Sequence, residues 1–268
     1  MTRLVVHRFG PVAGFASPIL AIHGVQSTGR RFRRLAEEGW PGRAVIAVDL
    51  RGHGDSTWDA PWDAATHVAD LLETLDAEGV DRAAVVGHSF GGLLGTHLAA
   101  AAPDRVERLI LLDPAVALPG PEMAESAEET RRDDGWATRD EAVAARLEDR
   151  PPQAVPGVME DLETHLRQDP DGRFRLHFSR PAVIVGWSEI ARPPVSLAAY
   201  PGSVLLLTAE RGEYVMPWFV AALARDLGER LTERIIDSGH MVFWDAFETT
   251  AAITAAFLDD RPVPGEAG

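Results

Sequence analysis

The sequence predicts an α/β protein: a mostly parallel central sheet flanked by helices, with a helical segment inserted late in the chain. Three observations predict it. Short apolar runs alternate with helix-like stretches, as in parallel βαβ units. Each run stops at a polar or turn-forming pair. The alternation lapses between residues 114 and 201 and then resumes.

In order, residues 4–6 begin an edge strand, and 19–22 and 44–48 read as buried strands closed by His23-Gly24 and Asp49. Residues 83–86 form another run and lead straight into Gly87-His88-Ser89-Phe90-Gly91. The run 109–112 ends at Asp113-Pro114, 204–207 ends at Thr208-Ala209-Glu210, and 231–236 precedes Asp237-Ser238-Gly239-His240. Such short β-branched and leucine-rich runs suit central parallel strands covered on both faces. Between them, 64–78 carries Val68, Leu71, Leu72 and Leu75 at helical spacing. Residues 93–102 are small and apolar nearly all round, which calls for burial against the sheet. Residues 219–227 and 243–258 read as outer helices. In a sheet of this kind, functional residues gather at the carboxyl ends of the strands.

The core therefore spans 1–113 and 202–260, the insert 114–201, and 261–268 forms a flexible tail. The insert holds two amphipathic helices, 140–148 and 158–167, and reads as a cap or lid over the strand ends. Its Trp136, Phe174, Phe178 and Trp187 argue against a disordered acidic linker, which would be poor in aromatics. Trp136, Met159, Phe178 and Trp187 are its candidates for an apolar pocket lining.

Composition excludes several chemistries. The net charge is −15 over 268 residues, so a polyphosphate partner such as nucleic acid would be repelled. Cysteine is absent, which removes disulfides, thiolate metal sites and cysteine nucleophiles. Lysine is absent too, which removes Schiff-base chemistry, a Ser–Lys dyad and a phosphate-binding P-loop. His165 and His177 lack a tight ligand spacing, so neither a metal nor another cofactor is expected. The first residues lack the basic start and unbroken apolar run of a secretory signal, and no apolar stretch is long enough to span a bilayer. A cytoplasmic protein without stable membrane anchoring is the expectation; oligomeric state is left open.

Gly87-His88-Ser89-Phe90-Gly91 is a G-x-S-x-G element placed between a buried strand and a small-residue helix. That setting describes a strained elbow, which lifts the Ser89 hydroxyl above the sheet and aims a helix N-terminus at developing negative charge. A serine hydroxyl needs a base to take its proton, and His240, in the turn after a late strand, is the candidate.

These elements resemble the α/β-hydrolase superfamily over nearly the whole chain apart from the insert. Besides the elbow, Ile22-His23-Gly24-Val25 is similar to the family's strand-end His-Gly loop. Asp49-Leu50-Arg51-Gly52-His53-Gly54-Asp55-Ser56 is similar to its Asp-x-Arg-Gly-x-Gly-x-Ser segment, and Gly239-His240 to its late catalytic histidine. The resemblance implies an oxyanion hole made by the backbone N–H groups of Phe90 and Val25. It gives His23 and His53 structural roles and points His88 away from the substrate. The acid departs from the pattern: where the family shows Gly-x-x-Asp, this chain has Ala209-Glu210-Arg211-Gly212. Asp113, at the strand end used by some members, and Glu213, one residue late, both remain candidates, with Glu210 behind them. The implied activity is that of a serine carboxylesterase or lipase acting on a small-molecule ester, with apolar acyl or alkyl groups favoured. A C–C bond hydrolase, lactonase, thioesterase, cofactor-free haloperoxidase or non-catalytic ligand-binding member is the alternative.

Overall fold

The computed structural model describes residues 4–11 and 17–265. Seven strands build the main sheet: β1 (Val6–Phe9), β2 (Ile19–Ile22), β3 (Val45–Val48), β4 (Ala83–His88), β5 (Val106–Leu112), and, after the insert, the last two. Around them lie α1 (Ala64–Ala77) and α2 (Phe90–Ala101). The insert carries α3 (Gly120–Arg132), α4 (Arg139–Leu147), α5 (Val155–His165), a hairpin of β6 (Leu166–Gln168) and β7 (Phe174–Leu176), and α6 (Arg180–Ile190). The chain then returns through β8 (Val204–Ala209), α7 (Pro217–Leu227), β9 (Leu231–Ile236), α8 (Val242–Asp245) and α9 (Phe247–Leu258).

Strand order is β1-β3-β2-β4-β5-β8-β9, parallel throughout except for β1. Because successive side chains alternate faces, each strand feeds two cores. Leu20, Ile22, Leu109 and Leu111 pack toward α1, α2 and α7. Ile19, Ala21, Ile110 and Leu112 pack toward Phe32, Trp40 and α9. Strand order reverses at β2, with β3 on one side and β4 on the other, and a crevice opens there at the strand carboxyl ends.

Three departures from the sequence reading have local causes. The helix after the elbow starts at Phe90, three residues earlier than its apolar pattern begins, because the turn itself launches it. The predicted helix at 243–258 breaks at Ala246 (φ −139°, ψ 55°), where the Thr250 hydroxyl donates to the Val242 carbonyl at 2.9 Å. In the 261–265 stretch, expected as a flexible tail, Val263 is buried, and Arg234 donates to the carbonyls of Val263 and Pro264. Residues 266–268 lie outside the described residues. No helix of the described residues is long and apolar enough to cross a membrane.

Candidate active site

Ser89 sits between the last residue of β4 and the first of α2, at φ 54° and ψ −120°. Its neighbours explain how the chain holds that shape. A Cβ on Gly87 would overlap the Gly91 carbonyl, and one on Gly91 would overlap that of Ile22. Glycine at both places lets β4, α2 and β2 meet backbone to backbone. Gln26 and Asp113 also have positive φ, at 55° and 42°. Non-glycine residues in this region cost about 1–3 kcal/mol each and persist only when the surroundings hold them. Three lie in the loops that meet at this crevice.

Ser89 and His240 line one cleft of about 180 Å³, together with Gly24, Val25, Tyr214 and Met241. The Nδ1 of His240 lies 2.6 Å from Oδ2 of Asp113, and Oδ1 of Asp113 accepts the Ala209 N–H at 3.0 Å. Asp113 is fully buried. Of the acid candidates, only Asp113 reaches the imidazole; Glu213 and Glu210 are exposed and make no bond to His240 among the described residues. Gly212, in the slot where an acid was expected, now has a physical account. A Cβ there would stand 2.8 Å from Oδ2 of Asp113, so the carboxylate from the neighbouring strand end occupies that space. The Tyr214 ring stacks on His240 at 4.0 Å between centroids.

His88 does not point away, as the elbow pattern suggested. It lines the cleft, and its Nε2–H donates to the His240 carbonyl at 2.9 Å. Burial, reinforced by the nearby His240, pushes its pKa well below the usual imidazole value.

The turn that follows β2 is held from both sides. The Gln26 N–H donates to Nε2 of His53 at 3.2 Å, and the Gln26 carbonyl accepts from Arg31 at 3.1 Å. Nδ1–H of His53 donates in turn to the Arg51 carbonyl. His23 accepts the Leu50 N–H on Nε2 and donates from Nδ1 to the Gly24 carbonyl. Each ring therefore needs one proton, not two, and burial keeps it so: the pKa of His53 falls to about 3, that of His23 well below its usual value. The N–H groups of Val25 and Phe90 have no acceptor among the described residues. The Asp-x-Arg-Gly segment braces this turn. Asp49 accepts from His7 and the Gly29 N–H, and although burial raises its pKa, these bonds hold it at about 2. Arg51 pairs with Asp70 through two bonds of 2.7 and 2.6 Å.

Of the insert's apolar candidates, Trp187 lines the cleft. Met159 lines a separate groove beside Trp244, Phe178 packs near His53 at 6.4 Å between centroids, and Trp136 pairs its backbone with Phe174 inside the insert. Arg31, Arg146 and Arg150 also line the cleft, and the sequence gives no sign of it. In an arginine-rich acidic stretch they are indistinguishable from solvated surface, and only the packing of α4 brings two of them inward.

A sequence model described as the alpha/beta hydrolase family matches residues 19–253, and the chain belongs to that family. Among individual relatives, Lipase LipV of Mycobacterium tuberculosis is 39% identical over 265 residues, covering 96% of this chain and 98% of the relative. Esterase YbfF of Escherichia coli is 26% identical over 256 residues, covering 91% and 94%. A solved marine microorganism esterase superposes with a TM-score of 0.77 at 20% identity, covering 96% of this chain and 100% of the other, a likeness of fold.

Proposed function

We propose that this chain is a serine hydrolase that cleaves carboxylic esters through an acyl-enzyme on Ser89. The lipase and esterase relatives support the ester class. The observation that carries the mechanism is a serine on a strained elbow sharing a cleft with an imidazole bonded to a buried carboxylate. With Nδ1–H of His240 given to Asp113, Nε2 is left as the base. It takes the Ser89 proton as the hydroxyl attacks the ester carbon, then delivers that proton to the departing alcohol oxygen. Water, deprotonated by the same nitrogen, then attacks the acyl-enzyme and releases the acid. The Val25 and Phe90 N–H groups receive the oxyanion in both halves; losing one such donor typically costs about 3–4 kcal/mol of transition-state stabilisation. The 114–201 segment acts as the cap, and Val25, Trp187 and Met241 offer an apolar acyl or alkyl group its contacts.

The test is covalent labelling with a fluorophosphonate, read by intact mass. Wild-type protein should gain one adduct, and Ser89→Ala none, with turnover of a short 4-nitrophenyl ester lost in parallel. Folded wild-type protein that neither labels nor turns over ester would point instead to a non-catalytic ligand binder.

A further inference from the structure

We infer that Arg146 and Arg150 form an anion subsite within the catalytic cleft, so that the favoured substrate is an ester carrying a second, acidic group. This rests on the hydrolase reading above and specifies its substrate.

Both side chains reach the cleft that holds Ser89 and His240, from the end of α4 and the loop beyond it. Neither guanidinium donates a hydrogen bond to any described residue. The nearest carboxylate to Arg146 is Asp161, at 3.9 Å, and that group is already committed to Arg31 by bonds of 2.7 and 2.8 Å. Arg150 lies 3.8 Å from Asp245. The Nε of Arg146 is buried without a partner. Elsewhere in this molecule, half-buried arginines are well used: Arg108, Arg175 and Arg230 each donate several bonds to carboxylate or backbone oxygens. A guanidinium offers five N–H donors in a planar fork that fits carboxylate and phosphate oxygens. Two such forks, each no nearer than 3.8 Å to a carboxylate and with no hydrogen-bond acceptor among the described residues, beside Ser89 are arranged for a ligand.

Charge points the same way. Around the cleft, Arg31, Arg146 and Arg150 face three carboxylates, Asp113, Asp161 and Asp245. Asp113 is bonded to His240 and the Ala209 N–H and Asp161 to Arg31, which leaves Arg146 and Arg150 without a hydrogen-bonded counter-charge among the described residues. The pKa of Arg146 is pulled down to about 10 by burial, with Arg31 adding to the effect. An incoming anion would relieve that cost. In a chain of net charge −15, two guanidinium groups free to donate at the cleft also select among esters, since the rest of the molecule repels acids. The volume of about 180 Å³ lies below the roughly 300 Å³ at which drug-sized ligand sites begin, so a short acid fits better than a long acyl chain.

The experiment compares the 4-nitrophenyl half-ester of adipate with its neutral carboxamide counterpart, and a matching phosphonate with both. The readout is the ratio of kcat/KM for anion over carboxamide, from which the fraction of active enzyme cancels. Wild-type protein should favour the carboxylate or the phosphonate, and the preferred one identifies the anion. Arg146→Gln and Arg150→Gln should each lower the ratio by on the order of tenfold or more, as expected when a charge-assisted bond is lost. If wild type hydrolyses the carboxamide ester but shows no preference for either anion, the subsite is overturned while the hydrolase stands. A ratio unchanged in both variants overturns it as well. Absence of all turnover, together with no fluorophosphonate adduct on Ser89, overturns the hydrolase reading and the subsite with it.

Discussion

Asp113 is asked to accept on both oxygens, from His240 on one and from the Ala209 N–H on the other. An amide can accept on only one. In Asp113→Asn, either the backbone N–H loses its partner or Nδ1 of His240 must give up its proton and put it on Nε2, where the base is needed. The expected loss in kcat is on the order of a thousandfold to ten-thousandfold, measured on a short 4-nitrophenyl ester. Glu213→Gln, at an exposed position, should stay within about twofold of wild type; a large loss there would reassign the acid. Gly212→Ala should likewise impair turnover, because its methyl group would press on Oδ2 of Asp113. Legibility differed sharply among these residues. Ser89 stands out in the sequence because its elbow is local, a strand, five residues and a helix. The carboxylate that meets His240 did not stand out, because it depends on which of two adjacent strand ends, 96 residues apart at Asp113 and Ala209, reaches the imidazole.

At the level of elements, the strands were the easiest to read, since buried parallel strands are near-continuous apolar runs. The insert was harder. Its α3 buries only Met123 and Thr130, so it presents almost no apolar stripe, and α6 opens with Pro181 and shows little one-sidedness. These two helices pack on each other, with Trp187 Nε1 donating to the Thr130 hydroxyl at 3.0 Å. Helix α3 is too polar overall to announce a buried face, and α6 is too evenly apolar. Among the contacts joining insert and core is α5, whose buried Asp161 clasps Arg31 on the core side. Asp161→Ala would strand that guanidinium beside Arg146. Breaking one partner of a buried pair costs about 3–5 kcal/mol, and a denaturant titration should show the midpoint falling accordingly. An unchanged midpoint would mean that the clasp is bypassed.

Across the whole molecule, burial of neutral imidazoles sets a pH dependence. Burial, the leading cause at both, lowers His53 and His67 to about 3, whereas an unfolded histidine titrates near 6.5. Between those values the unfolded chain binds more protons, so this contribution is complete above about pH 6.5 and is lost as pH falls toward 3. Each such ring should cost about 2 kcal/mol at pH 5. Asp49, held at about 2, adds its own loss only below the ordinary carboxylate range near pH 4. Calorimetric unfolding at pH 7 and pH 5 should therefore show a clear fall in Tm, and a flat profile over that interval would contradict the assignment of neutral rings. Overall charge was fully legible from composition; the gathering of Arg31, Arg146 and Arg150 at one cleft was not, because they come from separate segments that only the packing brings together.

Asp113 is followed directly by the first residue of the insert, and the N–H of Ala115 donates to the carbonyl of Ser89 at 3.2 Å. The root of the insert is thus stitched to both Asp113 and Ser89. Anyone building chimaeras by grafting a foreign lid onto this scaffold should cut downstream of that stitch and keep residues 113–115 from the host. On the proposed mechanism, a splice made at the strand end would replace the lid and disturb the placement of Ser89 and Asp113 in one stroke.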